Sequence, residues 1–258
     1  MELPLLPIDR LQSFLICAAR VVSIISSMPI FFSGQTPATV RTGLALVLSV
    51  MLFPILEPQI PVLAFDPINL ALLVGKEALL GFMLGLIARL IFTAAEFGGT
   101  VVGYQMGFAA ANVFDPQNQR QTSLMSQFQN VFAILIFLAL NIHHLFIQAI
   151  VESYSLLPPG HLNLGGEAVP FLMKMAGNMF LLGVKFSAPV LVVLLLSSMV
   201  LGLMARVFPQ LNVFMLSFPL NIGLSFLVIG LTLNLFAALL AQEFNALGQH
   251  FVHLFQLL

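Results

Sequence analysis

Charge is what this sequence has least of. Asp, Glu, Lys and Arg make up 7% of its 258 residues, whereas soluble domains carry about a quarter. With 60% hydrophobic residues and a mean hydropathy of +1.06, the chain cannot cover itself with a water-compatible surface. That excludes a soluble globular protein and a disordered one. Nine Lys and Arg against ten Asp and Glu leave a net charge of −1. No basic cluster stands out, which argues against nucleic acid as a partner, because phosphate binding needs concentrated cations. The single cysteine, Cys17, excludes an internal disulfide framework and any cysteine-built zinc or iron–sulfur site. Residues 1–10 carry Pro4 and Pro7 but no positive leader and no small-residue cleavage site, so they read as mature chain.

Chemistry is equally sparse. A Walker loop, a Gly-rich dinucleotide loop and a Gly-x-Ser-x-Gly elbow around Ser197-Ser198 are all missing. The adjacent His143 and His144 diverge by about 100° on a helix and make a poor metal pair. His250 and His253 share a face of what reads as a short amphipathic tail. The expectation is therefore no catalytic residue, no cofactor and no metal.

What the sequence has in abundance is apolar run. Residues 131–140 read VFAILIFLAL, without the alternation that a membrane barrel requires. Charge-free stretches cover 97–114, 121–151, 186–205 and 207–242, and three of them reach the roughly 20 residues needed to cross a bilayer as a helix. The sequence predicts an all-α, polytopic membrane protein. Its apolar segments fall at about 11–33, 42–64, 66–96, 97–112, 122–151, 168–205 and 207–242, with no internal repeat and no inter-domain linker. As one straight helix, 207–242 would be about 54 Å long, far beyond a bilayer core of about 30 Å. Pro209, Pro219 and three asparagines predict a broken helix or hairpin there, and Pro189 predicts the same one segment earlier.

Charges inside these segments read as buried groups facing protein or water. Arg89 and Glu96, seven apart, share a helical face, and Lys185 shares one with Lys174. Gly99, Gly103 and Gly107 form a ladder with a step of four, and Gly81 and Gly85 repeat it one segment earlier. Small residues at this spacing let membrane helices pack backbone to backbone, which predicts that Gly103→Leu blocks assembly with partner helices. After the ladder comes Phe108-Ala-Ala-Ala-Asn112-Val113-Phe114-Asp115-Pro116. This is either a plain helix end or a short loop whose bulky side chains occlude a passage.

The ordered features together resemble a known family. The ladder running into Phe108 and Asp115-Pro116, His143-His144, Pro158-Pro159-Gly160, Ala188-Pro189, and above all Arg206…Pro209-Gln210…Asn212-Val213-Phe214…Phe218-Pro219 look like FliR, the flagellar export-gate subunit. Relatives of FliR in virulence type III secretion are called SctT. Ile142 departs from the glycine often found in the family before this histidine.

The resemblance implies a structural, non-enzymatic subunit that forms and seals the pore for unfolded flagellar subunits in a type III protein export apparatus. The broken helices and hairpins are then packed within a FliP/FliQ/FliR-type assembly of the flagellar basal body, in the bacterial inner membrane. FliP-like, FliQ-like and FlhB-like proteins are the implied partners, and membrane lipid surrounds the chain. About 1–155 would be a FliP-like part and about 165–258 a FliQ-like part of one export-gate domain. The implied plug covers about 108–122, with Phe108, Asn112, Val113, Phe114, Asp115 and Pro116 as its sealing residues. The alternatives are the equivalent virulence subunit, a stand-alone secondary transporter, which would predict an inverted repeat, and an intramembrane hydrolase using Ser197 or Ser198 with a histidine. The loop 152–167, with two acids and no Lys or Arg, is assigned to the outside.

Overall fold

The computed structural model describes residues 8–28, 37–61, 66–107, 123–163, 166–210 and 212–258, the side chain of Phe214 excepted. Within them the regular elements are helical: α1 (Ile8–Ser27), α2 (Ala38–Leu56) with a 3-10 turn at Glu57–Gln59, α3 (Pro67–Gln105), α4 (Leu124–Ala139), α5 (Ile142–Leu156), α6 (Ala168–Val207) and α7 (Val213–Leu257). Four helices are long and apolar enough to cross a membrane, and the bent pair α4–α5 would make a fifth. The protein is a helical polytopic membrane protein.

Local chemistry explains most boundaries. Asp66 opens α3: its Oδ1 accepts from the Ile68 N–H at 3.1 Å and its Oδ2 from Asn69 Nδ2 at 2.6 Å, with Pro67 at the position where a missing N–H costs nothing. Asn212 opens α7 the same way, accepting from the Met215 N–H at 3.3 Å. Between α4 and α5 the chain turns by 64° at Asn141, whose φ of 55° lies in the left-handed region that asparagine tolerates better than other side-chain-bearing residues. The sequence reading ran straight through this turn, because the hydrophobic pattern on either side is unbroken.

Other expectations fail as well. Pro189 does not break α6, and Pro219 does not break α7, which runs 45 residues and absorbs the supposed tail with His250 and His253. The expected segments 66–96 and 97–112 likewise merge into the 39 residues of α3. Proline removes one ladder bond and crowds the preceding turn, and a long apolar helix sustains that loss where local donors and packing compensate. Pro209 does interrupt the chain, in the turn between α6 and α7.

By contacts the chain divides into two compact units that are not successive in sequence. The first holds Met1–Leu90, Leu138–Met175 and Phe244–Leu258, and the second holds Ile91–Phe137 and Ala176–Glu243. In the first unit, Phe146 meets Phe251 edge to face at 5.3 Å, and the Asn163 N–H donates to the Leu258 carbonyl at 2.9 Å, tying down the C-terminus. In the second, Val102, Met106, Met125, Val190, Leu194 and Val228 form a buried apolar core. Phe236 extends the packing there, with Phe186 at 4.7 Å and Phe132 at 5.9 Å between ring centroids.

Candidate functional site

The residues of the expected plug, Phe108, Asn112, Val113, Phe114, Asp115 and Pro116, lie outside the described residues. Their two roots do not. On the upstream side α3 ends in a turn at Met106-Gly107, where Gly107 has φ +89° and its N–H bonds the Tyr104 carbonyl at 3.1 Å. A left-handed residue after a helix is the usual place for glycine. Here the glycine is needed twice over, because a Cβ would sit 2.7 Å from two ring atoms of Phe218. On the downstream side Ser123 precedes α4 and faces Gly103, whose added Cβ would collide with the Ser123 hydroxyl. One turn deeper, a Cβ on Gly99 would lie 2.6 Å from Ser126 Cα and 2.9 Å from the Met125 carbonyl. Thus α3 and α4 approach backbone to backbone along the ladder, with Ser123 beside Gly103 near the end of that contact.

The ladder is therefore spent inside this chain. The expectation that Gly103 faces a partner helix is corrected: it faces Ser123 and Met125. Gly81 and Gly85 likewise lie against Ser23, Ile24 and Ser27 of α1, and the Ser27 hydroxyl donates to the Gly81 carbonyl at 3.3 Å. A spacing of four says that a helix face is small. It does not say whose backbone arrives there.

The block Arg206…Pro219 forms the α6–α7 corner. The Phe208 N–H closes α6 on the Met204 carbonyl at 2.8 Å. Pro209 and Gln210 make the turn, Asn212 caps α7, and Arg206, Pro209, Gln210, Asn212 and Pro219 are exposed. Phe218, half-buried, is the residue of this block that reaches the plug's upstream root, through Gly107. Phe214 belongs to the first turn of α7. Deeper in the same unit, Ser197 donates to Asn221 Oδ1 at 2.9 Å. That engages the serine in a structural bond, distant in role from a nucleophile.

The charges expected to be buried are placed otherwise: Arg89 and Glu96 are half-buried and Lys185 is exposed. Among the described residues the buried charges are Arg20 and Glu77, 0% and 2% exposed. Arg20 Nε pairs with Glu77 Oε2. Its other two nitrogens donate to Ser153 Oγ and to the Leu157 carbonyl, both at 3.1 Å. The guanidinium lies 4.1 Å from the Tyr154 ring centroid, and Glu77 Oε1 accepts the Gly160 N–H at 3.2 Å. One ion pair thereby joins α1, α3, α5 and the loop that follows α5. Nothing in the sequence pattern pairs Arg20 with Glu77. The only signal was that each is a charge within an apolar stretch, and nothing local links positions 57 residues apart.

Comparison with known proteins places this architecture. The family model described as "Bacterial export proteins, family 1" matches residues 11–247. The flagellar biosynthetic protein FliR of Bacillus subtilis is 35% identical over 241 residues, 92% of each chain. This chain belongs to the FliR family. FliR of Escherichia coli is 30% identical, covering 89% of this chain and 88% of its own. FliR of Aquifex aeolicus is 29% identical, covering 96% of each. Membership of the FliR family thus extends over both compact units and includes the Gly107–Phe218 contact, the glycine ladder and the Arg20–Glu77 pair within the matched residues.

Proposed function

We propose that this chain is a structural subunit of the flagellar type III protein export gate, embedded in the bacterial inner membrane at the flagellar basal body. The observation that carries this reading is the likeness to flagellar FliR proteins along nearly the whole chain. FliP-like and FliQ-like subunits are its proposed neighbours, with an FlhB-like subunit alongside and unfolded flagellar proteins as cargo. The outward apolar faces of α6 and α7, whose spanning windows are 22% buried by this chain, support packing against such neighbours. The division into a FliP-like part at about 1–155 and a FliQ-like part at about 165–258 belongs to the same proposal. Its contribution is mechanical: it forms and seals a passage, with no bond made or broken by its own side chains.

The geometry of the roots supports the sealing role. A pore wide enough for an unfolded chain dissipates the ion gradient unless it closes when idle. Segment 108–116 begins at a glycine turn braced by Phe218 and carries Phe108, Val113 and Phe114 ahead of Pro116. Apolar side chains crowding a constriction exclude water and so block ions more effectively than narrowing alone.

Deleting the gene from its own bacterium is expected to abolish swimming and the release of flagellar subunits, both restored by the intact chain. Undiminished release without it would overturn the export reading. Removing residues 110–114, or changing Phe114→Gly, is expected to leave the complex assembled but conductive in a planar bilayer. A deleted gate as tight as the intact one would return these residues to a plain helix end.

A further inference from the structure

A cleft of about 350 Å³ opens among α1, α2 and the middle of α3, all within the first compact unit. Its wall carries two guanidinium groups, Arg41 and Arg89, and three hydroxyls, Ser23, Ser26 and Ser27, with Phe82 and other small or apolar residues completing it. No carboxylate is among the residues that line it. Arg41 Nε is buried and, among the described residues, has no hydrogen-bond partner. An arginine cannot shed its proton; Arg41 is half-buried as a whole, and its one buried, unmatched donor is costly until an acceptor meets it. The guanidinium fork fits phosphate oxygens better than any other common anion except a carboxylate.

Position decides between those two. Arg41 stands in the first turn of α2, at the edge of the candidate span Ala38–Gln59, the level where arginines reach the headgroup layer. From that turn Val40, Leu44, Val47, Met51 and Ile55 run down α2 as one exposed apolar stripe, 39–66% exposed each. A cationic cup at a span's edge, beside an uncovered apolar track running along the span, has the layout of an amphiphile with a phosphate head.

The geometry points to a binding site for an anionic phospholipid, its phosphate held by Arg41 and Arg89 with the Ser26 hydroxyl, and its acyl chains lying along α2. A zwitterionic headgroup would bring a second cation beside two arginines, so the site discriminates by charge. The inference concerns this chain's own surface and stands whether or not the export reading does.

Native mass spectrometry of the full chain in a non-ionic detergent tests it, with short-chain phosphatidylglycerol, short-chain phosphatidylcholine and inorganic phosphate as probes. Phosphatidylglycerol is expected to bind saturably, and phosphatidylcholine about tenfold more weakly. Arg41→Gln should weaken phosphatidylglycerol binding about tenfold, with Arg41→Lys falling between. Ser26→Asp, which places an acid in the cleft, should weaken it too and keeps the test open if Arg41→Gln loses its helical circular dichroism. Unchanged binding in both variants, or equal binding of the two lipids, would overturn the site. Displacement of the lipid by inorganic phosphate at equal concentration would make it a free-anion site and overturn the lipid assignment.

Discussion

The two compact units both close helices on glycine faces, at Gly81 and Gly85 in the first and at Gly99 and Gly103 in the second, and differ in what is added. The first is pinned by a buried ion pair: Arg20 and Glu77 reach Ser153, Leu157, Tyr154 and Gly160 from four parts of the chain. The second is closed by the absence of side chains at Gly99 and Gly103, and around those contacts by aromatic rings. Polar pinning is strong and specific, but each half of the pair depends on the other. Close glycine packing has no such dependence, yet it tolerates no added atom where the opposing surface is backbone. The contrast teaches that a chain this apolar cannot select one arrangement by hydrophobicity, because lipid satisfies leucine as well as protein does. Directional bonds or tight fit must do it.

The largest effect should come from unbalancing the pin. Glu77→Leu leaves a buried, unpaired guanidinium and is expected to destabilise the chain by about 3–5 kcal/mol, read as a lowered midpoint in detergent denaturation. Arg20→Met combined with Glu77→Leu should recover much of that loss, because no lone charge remains. If the double variant were as unstable as the sum of the singles, Arg20 and Glu77 would be energetically uncoupled and the pin would be refuted.

Next in size is Gly99→Ala. Its methyl group meets the Ser126 backbone, which cannot swing aside, so about 1–3 kcal/mol is expected. Gly103→Ala meets chiefly the Ser123 hydroxyl, which can rotate, and should cost clearly less in the same denaturation assay. Equal costs would mean that α3 and α4 slide apart as easily at either step.

Gly107→Ala places a side chain in the left-handed region, at about 1–2 kcal/mol, and against Phe218. Its expected signature is leak: measurable bilayer conductance from an assembled complex, where Gly99→Ala shows a lowered melting midpoint. The smallest effect marks the control. Gly223 has nothing within 4 Å of an added Cβ in this chain, so Gly223→Ala should stabilise α7 by at most about 1 kcal/mol. A pronounced loss of complex yield from Gly223→Ala, with the isolated chain unharmed, would reveal a partner helix at that face.

Hydropathy and proline placement made the membrane class, the helical reading and the α6–α7 turn at Pro209 legible in advance. They misjudged Pro189 and Pro219, because a helix rule drawn from isolated ladders ignores the donors and packing that rescue a long apolar helix. They missed Asn141, because a single left-handed residue leaves the apolar pattern on both sides intact. Within the candidate site, the ladder's existence was readable from its spacing, whereas its target was not. Phe218 stood out as part of a motif, and its contact with Gly107 joins two positions far apart in the chain.

By itself, then, the sequence determined that this protein lives in a membrane, as helices, with small-residue faces. Composition decides the solvent, and local periodicity decides the element. Tertiary structure alone decided which charges are buried, which backbone fills each glycine face, and where α3 releases the segment at 108. Those outcomes depend on pairs such as Arg20 with Glu77 and Gly107 with Phe218. Their energies arise only when distant stretches of chain meet, and in so uniformly apolar a sequence no local preference distinguishes the right meeting from a wrong one.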